Sequence, residues 1–224
     1  MLLRRAFAEL LGSALLATAV VGSGIAAAEL STDTGLQLLE NSVATGAALI
    51  ALILALGPVS AAFNPVVTLV ELGFRAVSAR DAGVFVAAQF LGTAGGVVVA
   101  NLMYDLPAVT LSQHSRSGSG VLLAEVVATL GLVVVVFGVV RSRPSAVAYA
   151  VGGYIAAAYW FTSSTSFANP AITVARSLTD TFAGIDPSSV AAFAGMQVVG
   201  GLLGFGAVRL LYPDARRIAG EIAA

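Results

Sequence analysis

Apolar residues run through the chain in six long blocks, and each block is long enough for a helix that crosses a membrane. A hydrocarbon core about 30 Å thick needs about 20 apolar helical residues. The breaks between the blocks hold charged residues, among them Asp33, Arg80, Asp105, Arg141 and Asp186. The predicted spans are residues 2–28, 35–56, 82–104, 118–140, 145–161 and 187–211.

Two further apolar segments, residues 65–75 and 170–180, are too short to cross a bilayer. Each begins directly after an asparagine and opens with proline, as Asn64-Pro65 and Asn169-Pro170. Proline suits the first helical position and asparagine is a favoured N-cap. The pattern therefore predicts two re-entrant half-helices.

The composition indicates lipid as the solvent of most of the surface. Hydrophobic residues make up 58% of the chain, charged residues 10%, and the mean hydropathy is +0.95, whereas a soluble domain has about 25% charged residues. The chain has no cysteine, which excludes disulfides and thiolate sites, and its net charge of -1 offers no electrostatic case for nucleic acid. The sequence shows no nucleophile–base pair, metal cluster or phosphate loop, so we expect neither an enzyme nor a cofactor.

The arginines are distributed unequally between the two sides of this topology. Only Arg116 and Arg176 fall on one side, and the other nine fall on the opposite side. This bias predicts that both termini are cytoplasmic. The nine are Arg4, Arg5, Arg75, Arg80, Arg141, Arg143, Arg209, Arg216 and Arg217.

The N-terminus also imitates a cleaved signal peptide, since Arg4 and Arg5 precede an apolar stretch that ends in alanines 26–28. Glu9 argues against that alternative, because it interrupts the apolar stretch and has a counterpart, Glu125, in the second half of the chain. We therefore expect this segment to be retained as the first span.

Three signatures occur twice in the same order, which predicts an internal repeat. Each half contains three spans and one short helix, and an odd number of spans forces the halves into opposite orientations. We expect one channel domain, residues 1–224, with repeat one at 1–110 and repeat two at 118–224. The repeated signatures are Ala8-Glu9 with Ala124-Glu125, Asn64-Pro65 with Asn169-Pro170, and Gln89, Gly92 and Gly96 with Gln197, Gly200 and Gly204.

The short helices are predicted to meet near the middle of the membrane. Each presents the positive end of its dipole there. Asn64 and Asn169 cap their own helices and are expected to direct their amide donors toward the pore axis. A neutral solute gains hydrogen bonds at this point, whereas a cation or proton meets two positive ends.

With these features the sequence resembles the aquaporin and glycerol-facilitator family of major intrinsic proteins. The resemblance rests on Asn64-Pro65-Val66-Val67-Thr68, Asn169-Pro170-Ala171, Ala8-Glu9, Ala124-Glu125 and the run 88–92. It implies an all-α, right-handed bundle of six transmembrane helices and two half-helices. It also implies a homotetramer in a lipid bilayer, with one pore in every subunit, here in a bacterial plasma membrane.

The buried polar residues admit two interpretations. Glu9 and Glu125 are costly inside a membrane and could carry protons in a transporter. The resemblance instead implies that each supports the loop before an Asn-Pro motif, and this is the interpretation we favour. Gln89 and Gln197 are expected to join helices.

The sequence departs from the family pattern at the two motifs. Val66 replaces the usual alanine, and we expect it to pack outward. Ile172 occupies the position where the family usually has the arginine of the outer constriction, and Arg176 follows four residues later on the same helical face. Arg176 could be a displaced gatepost of the pore or an anchor for loop carbonyls or Asp180.

Counting from the motifs without gaps assigns the other constriction positions to Ala44, Ala157 and Ser166. This filter would be small, neutral and nearly free of donors. It predicts a wide pore for water and small neutral solutes such as glycerol, urea or metalloid hydroxides, including arsenite. The run 169–176 is similar to bacterial family members associated with arsenic resistance. The alternatives are a strict water channel, a proton-coupled carrier, and a membrane protein that conducts nothing.

Overall fold

The structure is a computed structural model that describes residues 1–213, so the predicted placement of Arg216 and Arg217 lies outside the described residues. Every regular element within that range is helical. The helices are α1 Leu2–Leu30, α2 Thr34–Leu56, α3 Pro65–Gly73, α4 Ala79–Met103, α5 Ser119–Ser142, α6 Val147–Phe161, α7 Pro170–Ala175 and α8 Pro187–Leu211, with single 3-10 turns at Pro144–Ala146 and Arg176–Leu178.

The predicted all-α membrane fold with two half-helices is confirmed. Five helices, α1, α2, α4, α5 and α8, are long and apolar enough to cross a membrane. The sixth predicted span, α6, has only 15 residues, which cover about 22 Å. The 3-10 turn before it adds about 6 Å, so the two together approach the thickness of the hydrocarbon core.

Glycines allow the long helices to cross closely, and they do so in the same way in both halves. A side chain at Gly92 or Gly96 of α4 would collide with the backbone carbonyls of Leu10 and Ala14 in α1. In the second half, Gly200 and Gly204 of α8 take these positions against α5. Small residues at such crossings give membrane helices their close contact.

The two half-helices lie between these pairs. Both α3 and α7 contact α4 and α8, and they contact each other. Their first residues, Pro65 and Pro170, are buried. The fold therefore brings two helix N-termini together inside the bundle, as the repeat predicted.

Candidate functional site

Asn64 and Asn169 cap their own half-helices and also link the two halves. The Oδ1 of Asn64 accepts from the backbone N of Val66 at 2.9 Å, and that of Asn169 accepts from the backbone N of Ala171 at 3.0 Å. The Nδ2 of Asn64 donates to the carbonyl of Ala168 and the Nδ2 of Asn169 to the carbonyl of Phe63, both at 2.8 Å. One amide hydrogen of each asparagine is thus used between the halves, and the other remains for the pore.

The residue before each asparagine adopts a strained backbone. Phe63 has φ 49° and Ala168 has φ 47°, a region that costs a residue other than glycine about 1–3 kcal/mol. Glu9 accepts from the backbone N of Phe63 at 2.8 Å, and Glu125 accepts from the backbone N of Ala168 at 3.0 Å. The buried carboxylates hold the loops in the conformation that directs both carbonyls to the opposite asparagine.

Each carboxylate is also tied to its half-helix through a glutamine. Gln89 donates to Glu9 and to Thr68 of α3, and Gln197 donates to Glu125 and to Thr173 of α7. Glu9 and Glu125 are fully buried, and neither lines the central cavity. Their contacts are those of hydrogen-bond acceptors for the loop before each asparagine.

A cavity of about 500 Å³ passes between the half-helices and is lined by residues from both ends of the bundle. Asn64 and Asn169 line its middle, whereas Pro65, Val66, Pro170 and Ala171 do not line it. We name its ends the Glu71 mouth, lined by Arg5, Glu71, Pro144 and Ser145, and the Arg176 mouth, lined by Thr45, Tyr159, Ser166, Ile172 and Arg176.

Val66 packs away from the cavity, against α8. A side chain at Gly201 would collide with the Cγ1 of Val66, and Val66 is 3% exposed. The larger side chain in the first motif is therefore accommodated by a glycine on the neighbouring helix.

The structure changes two of the predicted constriction residues. Ser166 and Ile172 line the Arg176 mouth, but Ala44 and Ala157 do not, and Thr45 and Tyr159 line it instead. Ala157 lies on the exposed face of α6, because a shift of two residues rotates a side chain about 200° around a helix. Counting back from Asn169 presumed a loop length that this chain does not have.

The Arg176 mouth is consequently richer in hydroxyl groups than the sequence suggested. The Thr45 Oγ1 and Tyr159 Oη lie 3.2 Å apart. Among the described residues the buried Ser166 Oγ has no hydrogen-bond partner. Hydroxyl groups and the apolar side chain of Ile172 therefore border the same part of the cavity.

Arg176 both lines the cavity and is anchored. Its Nε donates to the carbonyl of Ala183, and its guanidinium lies 3.5 Å from the ring centroid of Phe167. Asp180, the other predicted anchor, is engaged elsewhere: it accepts from the backbone N of Gln113 at 2.9 Å and lies 3.8 Å from His114 Nε2.

A second guanidinium approaches the same ring. Arg116 lies 4.9 Å from the Phe167 centroid and donates to the carbonyl of Gly184. Burial lowers the pKa of Arg116, while the nearby carboxylate of Glu125 acts in the opposite direction. The two arginines that the topology assigns to one side of the membrane thus lie against the same ring, and of the two Arg176 lines the cavity.

Glu71 is a residue of the cavity that the sequence analysis did not single out. It follows Asn64 by seven residues, as Arg176 follows Asn169. Comparing the two repeats position by position would have found it. Within residues 1–213 no group of three His, Asp or Glu side chains could hold a metal ion.

Comparison with known proteins decides the family. Residues 1–146 match the family model described as major intrinsic protein. The chain belongs to the major intrinsic protein family. It is 45% identical over 218 residues to the aquaglyceroporin AqpS of Rhizobium meliloti strain 1021, covering 97% of this chain and 94% of that protein.

The fold is also similar to that of a protein of known structure. The aquaglyceroporin of Plasmodium falciparum superposes with a TM-score of 0.73 at 19% identity, over 96% of this chain and 99% of that one. The predicted family and the aquaporin-like bundle are thereby confirmed. The chain is an integral, multi-pass membrane channel and not an enzyme.

Proposed function

We propose that this major intrinsic protein is a passive channel that conducts glycerol and other small neutral solutes together with water. The observation that carries the proposal is the Arg176 mouth, where apolar Ile172 follows the second Asn-Pro-Ala and lines the cavity. A pore restricted to water needs a narrow waist with strong donors. The 45% identity to an aquaglyceroporin supports the same conclusion.

The Arg176 mouth offers a solute both kinds of surface that a small polyol presents. The hydroxyls of Thr45, Tyr159 and Ser166 can bond solute hydroxyls, and Ile172 can contact carbon. Ser166 supports this role because its buried Oγ has no partner within residues 1–213, and a buried polar group without a partner is costly. Urea and metalloid hydroxides such as arsenous acid share the small size and neutral charge, and we propose them as further solutes.

We also propose a homotetramer in a bacterial plasma membrane, with the Arg176 mouth facing outward. The arginine bias along the sequence supports this orientation. The proposal assigns no transport role to Glu9 or Glu125, since both are held by loop donors away from the cavity.

The test is Ile172→Arg, compared with wild type and with Ile172→Val in proteoliposomes. Arginine at this position adds donors and bulk to the mouth, so glycerol permeability should fall about tenfold relative to water, as expected for a narrowed and strongly donating filter. Valine keeps an apolar side chain and should leave the ratio within about twofold, since one methylene is a small change in an apolar pocket.

Stopped-flow swelling in glycerol, urea and arsenite, with water flux in the same vesicles, provides the measurement. An unchanged glycerol-to-water ratio in Ile172→Arg would contradict the assignment of this mouth as the filter. A wild-type channel that passes water but no glycerol would be a strict water channel. Flux that saturates and follows a pH gradient would indicate a carrier, and the absence of all flux would indicate a protein that conducts nothing.

A further inference from the structure

The charged side chains that line the cavity are few, and they differ between its two ends. Arg5 and Glu71 lie at one mouth and Arg176 at the other, and no other charged residue lines the cavity within residues 1–213. Glu71 is therefore the single anionic side chain along the described lining. At the corresponding position of the second repeat the charge is reversed, as Arg176.

Both side chains lie seven residues after their asparagine, Glu71 within α3 and Arg176 at the first residue of the 3-10 turn that follows α7. Asn64, Val67 and Glu71 are spaced so that they share one face of α3, and all three line the cavity. In the second half, Asn169 and Ile172 line the cavity from equivalent positions. Glu71 and Arg176 thus occupy matching places on either side of the central asparagines.

The middle of the pore attracts anions. Two half-helix N-termini face each other there, and each carries a partial positive charge of roughly half a unit. Arg176 adds a full positive charge at one mouth and Arg5 at the other. Positive charges repel protons and cations, but they add no electrostatic repulsion against small monoanions.

Glu71 supplies that repulsion from a position in which its charge is available. No described side chain forms a hydrogen bond with it or lies within ion-pair distance, and Arg5 is stacked 4.8 Å from the ring centroid of Phe85. A carboxylate with no ion-pair partner beside a cavity enclosed by protein acts over several ångströms, because it is screened less than a charge on an open surface.

We propose that Glu71 is a specificity-determining residue that excludes anions at its mouth, so that the pore rejects cations by its positive centre and anions by this carboxylate. The inference rests on the proposed function of a passive neutral-solute channel. It extends that function by assigning the rejection of cations to the centre of the pore and the rejection of anions to the Glu71 mouth.

The experiment compares chloride and glycerol flux in proteoliposomes of the full chain at about pH 8, which favours the ionised form of the carboxylate. Chloride uptake is read with an entrapped chloride-quenched dye. Glu71→Gln and Glu71→Asn remove the charge with two side-chain lengths, and Glu71→Asp retains it. Glu29→Gln is the matched control, since Glu29 is exposed and does not line the cavity.

We expect the two neutral variants to raise chloride flux about tenfold at low ionic strength, because the remaining lining charges are all positive. Glycerol flux should stay within about twofold of wild type, since a neutral solute has no net charge for Glu71 to repel. Glu71→Asp and Glu29→Gln should resemble wild type in both measurements.

Chloride flux in Glu71→Gln and Glu71→Asn that equals that of Glu29→Gln would overturn the proposal. It would also be overturned if both neutral variants lost glycerol flux while Glu71→Asp kept it, because the charge would then serve the fold. A wild-type protein that fails to conduct glycerol would instead contradict the proposed function, so the two failures are distinguishable.

Discussion

The two halves of the molecule are alike where they build the middle of the pore and different where they build its mouths. Each half has an asparagine cap, a buried glutamate, a glutamine and a threonine joined by the same hydrogen bonds. Each half also has a strained residue before its asparagine. These shared residues position the N-termini of the two half-helices. Because each asparagine donates to the loop of the other half, a change in either set of residues should affect both loops.

The differences are paired replacements that lie a short distance from this shared core. In the first half, Val66 of α3 packs against Gly201 of α8. At the equivalent positions of the second half, Ala171 of α7 contacts Thr93 of α4. The larger residue is therefore on the half-helix in one half and on the long helix in the other. Glu71 stands opposite Arg176. The inverted repeat thus determines the backbone of the pore, whereas individual side chains determine the charge of each end.

The largest effect should come from the buried carboxylates, and it should be of similar size in the two halves. Each oxygen of Glu9 accepts two donors, but on one side these are the backbone N of Ala62 and the Ser60 hydroxyl, which can turn to accept. Glu9→Gln therefore leaves at least one backbone N–H facing an amide NH₂. One oxygen of Glu125 accepts a single donor, the backbone N of Phe167. In Glu125→Gln the amide NH₂ can replace that oxygen, which leaves this one donor unsatisfied. An unsatisfied donor costs about 1–3 kcal/mol and the remaining bonds lose a charged acceptor, so each variant should cost about 2–4 kcal/mol.

Unfolding in mixed detergent micelles measures the loss of stability in each variant, with Glu29→Gln as the exposed control. If Glu9→Gln were as stable as wild type, the carboxylate would not be the support of the first loop. A loss in only one of Glu9→Gln and Glu125→Gln would mean that the two carboxylates do not play the same part in their halves.

The second effect concerns the contact between Val66 and Gly201. Gly201→Ala should destabilise the protein by about 1–3 kcal/mol, because the added methyl overlaps the Cγ1 of the buried Val66. In the double variant Val66→Ala with Gly201→Ala, the methyl occupies the space that valine vacates. Its loss should therefore be smaller than the sum of the two single losses by at least about 1 kcal/mol.

Gly195→Ala on the same helix is the control, since nothing lies within 4 Å of the position of its added methyl. Strict additivity of the two single losses in the detergent unfolding assay would mean that the two residues do not share this space. The presence of valine in the first motif would then not be explained by Gly201.

The sequence predicted the parts of this molecule that depend on periodicity and repetition. Span lengths follow from the thickness of a bilayer, and the half-helices follow from Asn64-Pro65 and Asn169-Pro170. The identity of the mouth residues depends on loop lengths and helix rotation, which no local pattern encodes. For that reason the sequence assigns Ala157 to the constriction although it lies on the exposed face of α6, and it does not indicate Tyr159, which lines the cavity.

The smallest effect concerns a donor that only one loop possesses. Ser60 precedes Asn64 by four residues and its Oγ donates to Glu9 at 2.6 Å, whereas Thr165 precedes Asn169 by four residues and its side chain lies outside the bonds that hold Glu125. Ser60→Ala should therefore cost about 1 kcal/mol, less than a fully buried bond to a charge, because Ser60 lines the cavity and water can replace its hydroxyl. Thr165→Ala, as the positional control, should change the unfolding free energy by less than about 0.5 kcal/mol. Equal losses in the two variants would mean that the hydroxyl of Ser60 contributes nothing specific to the first loop, and that the two glutamates are supported alike despite their different contacts.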